Sequence, residues 1–238
     1  MIEIAFGELR DRGSVVIADG YGDDNVLVTD DVDRLPRLRF NRHGSTTARV
    51  DGCRFVIPSS TRGAINIHTA ESGARMTIGT GTRLMLDVRM WRASTLVIGD
   101  HTTINQARIV LDRSEVELGE DCMVSDDVLI QSADQHGLYD LTTDAFLNEG
   151  PRRTRIGNHV WLGRRSTVMP DVEIGAGSIV GLGTIVTRTV PPCSSVIGIP
   201  GRIVREDVTW TRYPGRANAR ETAFLEGVRA TGGEGATR

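Results

Sequence analysis

Aliphatic residues recur at a spacing of six through the C-terminal half of the chain, at Ile156, Leu162, Val168, Ile174, Val180 and Val186. Glycine directly follows four of them, at Gly157, Gly163, Gly175 and Gly181, and the fourth residue after each is small or β-branched: Val160, Ser166, Val172, Ser178, Thr184 and Val190. The same period runs upstream as Ile78, Leu84, Met90, Leu96. After a two-residue slip it returns as Ile98, Ile104, Val110, Val116, and again as Leu118, Val124, Ile130; a looser version starts at Val26, Val32, Leu38. A helix would repeat every 3.6 residues and a flat strand every 2, so neither explains six. One short strand plus a corner does. Three such units predict a triangular coil of about 18 residues, with the aliphatic inside, the small residue in a cramped corner and glycine letting the backbone turn. Successive coils would stack about 4.8 Å apart by parallel pairing, giving roughly eight and a half coils and about 40 Å of column between Val26 and Pro200.

Between Ile130 and Ile156 the period fails over a gap of 26 residues, six plus an insertion of about 20, which predicts a loop extruded from a rigid prism over about 131–155, where functional groups are usually placed. After Pro200 the pattern stops. The division expected is therefore a β-helix domain over 1–200, with degenerate coils over 1–69, and an extension over 201–238. That extension would hold one short helix over Arg220–Arg229 and a disordered tail at 231–238.

Composition narrows the chemistry. The chain has 238 residues, 39% of them hydrophobic, with 28 basic against 31 acidic side chains and a formal net charge of -3. That balance gives no footprint for nucleic acid. All the basic residues are arginine, which excludes pyridoxal enzymes and P-loop nucleotide hydrolases, both of which need a lysine. Cys53, Cys122 and Cys193 form no CxxC pair, so neither a disulfide framework nor a zinc site is expected, and a reducing, cytoplasmic setting fits. No signal peptide and no membrane span is expected.

The segments Ile156-Gly-Asn-His-Val-Trp-Leu-Gly163, Ile174 to Val186 continuing to Pro192, and Gly198-Ile-Pro-Gly-Arg-Ile-Val-Arg205 resemble the C-terminal signature of the hexapeptide-repeat acyltransferases. The loop sequence Ser132-Ala-Asp-Gln-His136, followed by Tyr139-Asp140, is most similar to the branch that O-acetylates bacterial surface polysaccharides. The resemblance implies an all-β, left-handed parallel β-helix working as a homotrimer. It further implies acetyl transfer from acetyl-CoA, without a metal, to a sugar hydroxyl of a surface polysaccharide or its precursor. N-acetylation of an amino sugar or an antibiotic is an alternative on the same fold. Two further alternatives are a metal-dependent hydratase, which lacks its H-x4-H pair here, and a non-catalytic assembly subunit using the loop for docking.

Acetyl transfer to a hydroxyl needs a base, donors for the oxyanion and a long groove for the pantetheine arm. His136 stands in the loop and aligns with the family's catalytic histidine; Asp134, Asp126 or Asp127 would orient it. His101 and His159 share a slot, third after a repeat aliphatic, and both are expected on the solvated surface. The resemblance gives Trp161 an acyl or oxyanion contact, Gly163, Arg164, Gly181, Leu182 and Thr187 the path of the pantetheine, and Pro200 the adenine. Arg188, Arg202 and Arg205 fall where the family commonly carries cations near the nucleotide. Cys122, at an inward small-residue slot, is not expected to form an acyl-enzyme.

Overall fold

A computed structural model describes residues 1–10, 12–43 and 48–232. It is a left-handed parallel β-helix. The tail expected at 231–238 lies, from 233 onward, outside the described residues. The first face of the prism is an eight-stranded sheet. Its parallel strands run from Val26–Thr29 through Arg54–Val56, Arg75–Ile78, Thr95–Ile98, Ser114–Leu118 and Arg152–Ile156 to Glu173–Ile174. The other two faces begin as one broad sheet, whose strands Arg37–Arg42, Arg62–Thr69, Arg83–Met90 and Thr103–Leu111 are up to nine residues long.

The strand Thr103–Leu111 divides that sheet. Its start pairs with Met123–Val124 and founds the second face, continued by Trp161–Leu162, Ile179–Val180 and Ser195–Ile197. Its later part pairs with Val128–Gln131 and founds the third face, continued by Thr167–Val168 and Ile185–Val186. The six-residue period is visible in this register. Leu118, Ile156 and Ile174 stack on the first face, Val124, Leu162, Val180 and Val196 on the second, and Ile130, Val168 and Val186 on the third. All of them are buried in one continuous core.

The structure corrects the reading at three places. The pairing shifts between Ile104 and Ala107, so Ile109 and Leu111 rather than Val110 enter the core. At the looser N-terminal end, Leu27 rather than Val26 faces inward. The glycines that follow the aliphatics are not the turning residues. A Cβ at Gly163 would stand 2.6 Å from Val180 O, and one at Gly175 would stand 2.3 Å from Pro192 N, so these glycines permit the close approach of the next coil. The turn falls two residues later, in the slot third after the aliphatic. There His101, Asp121, Asp127, His159, Arg165, Asp171 and Cys193 adopt positive φ between 51° and 60°.

At the N-terminal end, α1 (Phe6–Leu9) plugs the column, with Phe6 and Leu9 fully buried and Phe6 packed 4.7 Å from Phe40 and 5.9 Å from Phe55. At the other end, the strand Arg202–Arg205 folds back antiparallel on Ser195–Ile197. The chain then runs as a strap to α2 (Ala219–Gly232), which is longer than the 220–229 segment anticipated. No helix among the described residues is long and apolar enough to cross a membrane.

Candidate active site

Three corners join the three faces, and the expected site residues divide between two of them. On the second face, towards the third, a groove of about 280 Å³ is lined by Trp161, Gly163, Arg164, Gly181 and Leu182, together with Asn105, Ser125 and Asp126. The register explains the grouping: Trp161 and Ile179 are neighbours on parallel strands, so their following corner residues stack coil on coil. Trp161 is half-buried, and its Nε1 donates to Ser125 Oγ at 3.2 Å, which fixes the plane of the indole. Arg164 binds Asp126 Oδ2 through Nε at 3.1 Å and Nη2 at 2.8 Å, so its charge is already partnered by the coil below. Leu182 stands on the rim, 73% exposed. Beyond it, Ile185 N donates to Gly198 O at 3.2 Å and Gly201 N to Ile185 O at 2.8 Å, so the turn holding Pro200 caps the last coil. Arg202 and Arg205 follow on the exposed antiparallel strand.

His136, Thr187 and Arg188 lie at a different corner, where the third face returns to the first; all three are exposed. The insertion is not an irregular loop. Tyr139–Asp140 and Ala145–Phe146 pair antiparallel, with Tyr139 and Phe146 in edge contact at 5.0 Å. Asp140 accepts from the amides of Thr142 and Thr143, closing the tip, and Tyr139 OH bonds to Asp144. Asn148 ties the base: its Oδ1 accepts from Leu138 N at 2.8 Å and its Nδ2 donates to His136 O at 2.8 Å. The backbone carrying His136 is thereby held, while the imidazole makes no hydrogen bond among the described residues. Of its three candidate partners, Asp126 is taken by Arg164, Asp127 lies 3.9 Å from Arg165, and Asp134 accepts from Asn148. Within one chain, then, His136 and Trp161 are on different faces.

His159 overturns an expectation. It is 1% exposed, not solvated, because the strap runs down the corner between the first and second faces and covers it. Its Nδ1 lies 2.9 Å from Asp121 Oδ2 and its Nε2 lies 3.0 Å from Trp210 O, while Trp210 Nε1 donates to His159 O at 2.8 Å. The rings of His159 and Trp210 stack at 4.4 Å. Arg212 completes the cluster by donating to Asp121 Oδ1 at 2.8 Å. Burial would raise the Asp121 carboxyl, but the bonds from His159 and Arg212 outweigh it and hold the group below its usual range. Trp210 also lies 6.3 Å from Trp161, so the strap supports the groove from behind. Asn105, Ser125, Asn148 and this cluster carry no motif. Only the shared slot of His159 and Asp121 hinted that they stack.

Cys122 is fully buried, and burial pushes its thiol up to about 11, which removes it as a nucleophile near neutral pH. No group of metal-ligating side chains gathers among the described residues.

Residues 153–188 match the family model described as bacterial transferase hexapeptide (six repeats). The polysialic acid O-acetyltransferase of Escherichia coli O1:K1 / APEC is 28% identical over 136 residues, covering 57% of this chain and 44% of that protein. The galactoside O-acetyltransferase of Escherichia coli K12 is 28% identical over 130 residues, covering 55% of this chain and 63% of that protein. The chain thus spans about half the length of these curated relatives. Among solved structures, the polySia-specific acetyltransferase NeuO superposes with a TM-score of 0.79 at 23% identity, over 90% of this chain and 99% of that one. This is a likeness of fold. The repeat, the coil register and the matched segment agree: residues 153–188 carry the hexapeptide repeat of the bacterial transferase model, on a fold like that of NeuO.

Proposed function

We propose that this protein is an acetyl-CoA-dependent O-acetyltransferase acting on a sugar hydroxyl of a surface polysaccharide or its precursor. The observation that carries the reading is the groove in which Trp161, Gly163, Arg164, Gly181 and Leu182 line up across consecutive coils. The amides of Gly163 and Gly181 bond to the next coil at 2.8 Å, whereas those of the following corner residues Arg164 and Leu182 make no backbone bond among the described residues. The exposed Leu182 and Ile199 supply apolar rim, a combination suited to a narrow pantetheine arm. Thr187, Arg188, Pro200, Arg202 and Arg205 would meet the rest of the cosubstrate. The O-acetyltransferase names of the curated relatives support the reaction class.

The base and the groove must come from different copies. In a threefold assembly, the corner bearing His136, Thr187 and Arg188 would face the Trp161 groove of the next subunit. The hairpin supports this, since Leu138, Leu141, Phe146 and Leu147 are 53% to 92% exposed and need a partner surface. His136 would take the proton of the sugar hydroxyl, whose oxygen forms the new C–O bond at the thioester carbonyl. As the C–S bond breaks, the imidazolium returns the proton to the thiolate. Trp161 and nearby backbone amides would bind the developing oxyanion. No covalent acyl-enzyme is required.

Incubation with acetyl-CoA and a panel of sugars, oligosaccharides and polymers, followed by free thiol release, tests the reaction. Light scattering tests the trimer. A monomer with full specific activity rejects the shared site. The separation of His136 from Trp161 within one chain favours the second reading, a non-catalytic assembly subunit, and a trimer that releases no thiol with any acceptor would establish it.

A further inference from the structure

The outer surface of the broad strands is more basic than the chain as a whole. The alternation that buries Leu38 and Phe40, Ile65 and Ile67, and Leu84 to Met90 turns Arg37, Arg39, Arg62, Arg83, Arg89 and Arg108 outward on one continuous sheet. The acid among them is Asp87. Arg89 and Arg108 share it, each at 3.2 Å, and His68 Nε2 lies 3.3 Å from it. Arg37, Arg39, Arg62 and Arg83 form no ion pair among the described residues, and Arg62 donates only to the backbone oxygens of Ser59 and Thr61. Arg62 and Arg83 are moreover direct register partners. Like charges placed so are destabilising unless an anion lies between them. The first face also sets Arg54 beside Arg75, but most of its arginines are partnered: Arg54 pairs with Glu3 at 2.6 Å, and Arg153 and Arg155 both pair with Glu117 at 2.9 Å.

This surface is concave and continuous with the groove. Asn66, Asp87, Asn105, Gln106 and Arg108 line a cavity of about 690 Å³ where the broad sheet bends, and Asn105 also lines the groove beside Trp161. Arg62, Arg83, Thr103, Met123 and Trp161 occupy one outward row across adjacent strands. Arg83 is therefore about 14 Å from Trp161 along the prism, three strand spacings.

We infer that this surface, with Arg37, Arg39, Arg62, Arg83 and Arg108 as its cations, binds an anionic glycan and leads it to the groove at Trp161. The inference rests on the proposed reading of that groove as an acyl-transfer site to sugar. Carboxylate- or phosphate-bearing sugar units answer the unpaired guanidinium groups, and the amides of Asn66, Asn105 and Gln106 can both donate to and accept from ring hydroxyls. The cavity wall carries no aromatic ring and the arginine row only Trp161 at its far end, whereas a single-stranded nucleic acid is held by successive stacked bases.

The test compares two charge-reversed variants of equal net charge, Arg39→Glu with Arg83→Glu on the broad sheet and Arg54→Glu with Arg75→Glu on the first face. Both are titrated with a fluorescent decamer of galacturonate and with its neutral methyl ester. The wild type should bind the acid form, weaken as salt rises and bind the ester at least about tenfold less tightly. The broad-sheet pair should lose about tenfold or more in affinity for the acid form, while the first-face pair stays within about twofold. If the reversal pair does not fold, Arg39→Gln with Arg83→Gln should show a smaller loss in the same direction. Equal loss in both reversal pairs, equal binding of acid and ester, or tighter binding of a DNA decamer overturns the inference. So does dissociation of the oligomer by the broad-sheet pair, which would make that face a subunit contact. If no sugar releases thiol but the decamer still discriminates between the pairs, the enzyme reading fails and the binding surface stands.

Discussion

The coils above Leu118 and those below it differ in strand length, and the difference separates chemistry from reach. In the upper coils most strands are two residues long, so corners dominate and each coil offers few outward side chains. The groove residues there sit at or beside corners, as Gly163, Arg164, Gly181 and Leu182 do. In the lower coils, strands of eight and nine residues present alternate side chains in registered rows. Such rows suit a long ligand, whereas a cramped corner suits one reacting group.

If chemistry is confined to the upper coils and the hairpin, His136→Ala should have the largest effect. Turnover should fall by about 10² or more, with acetyl-CoA affinity, read by calorimetry, within a few fold. Asn148→Ala, which frees the His136 backbone, should reduce turnover by less and leave that affinity unchanged. An undiminished rate in His136→Ala would move the base elsewhere and end the division.

The upper corners can be challenged through their glycines. Gly175→Ala forces a Cβ to within 2.3 Å of Pro192 N, whereas at Gly183, with φ +69°, an added Cβ meets nothing within 4 Å. Urea unfolding should show a loss of about 3 kcal/mol at Gly175, from overpacking, and about 1 kcal/mol at Gly183, from left-handed backbone alone. Equal losses would mean that coil approach does not limit these positions.

A smaller effect is expected at the nucleotide end. Arg202→Ala should raise the Michaelis constant for acetyl-CoA about tenfold with little change in maximal rate, and Arg202→Lys should recover part of it. Wild type should bind 3′-dephospho-acetyl-CoA less well than the full cosubstrate, and the alanine variant should not distinguish them. If it still does, Arg188 or Arg205 makes the contact.

The strap is challenged through its pH dependence. Because the bonds from His159 and Arg212 hold the folded Asp121 carboxyl below the ordinary aspartate range, it binds a proton less readily than in the unfolded chain. Its contribution is therefore complete above about pH 4 and is lost as pH falls through the lowered value. Hydrogen exchange at residues 208–212 should accelerate over that acid range in the wild type and show a flatter dependence in Asp121→Asn. His159→Ala should destabilise by about 1 to 3 kcal/mol, since it leaves a buried carboxylate and a carbonyl short of a partner.

Much of the fold was legible because a corner is a local event. The inward aliphatic, the small residue four positions on and the glycine between them are set by backbone geometry within one coil and its neighbour, so Ile156 to Val186 could be read letter by letter. The grouping of Trp161, Gly163, Arg164, Gly181 and Leu182 came from the resemblance, and the pairing of Trp161 with Ile179 one coil on is why they line one groove.

Only the tertiary structure decided what depends on distant chain. The burial of His159 comes from Trp210, 51 residues later, and an outward slot looks the same in sequence whether water or a strap covers it. Val110 left the core because a register shift between Ile104 and Ala107 moved every following side chain to the opposite side of the strand. A net charge of -3 concealed an arginine surface, because summation over the chain ignores which acids pair on the first face. The sequence alone determined the coil, since its rules are local, while the tertiary structure set the assignment of His136 and Trp161 to different faces, which depends on where the inserted hairpin leaves the prism.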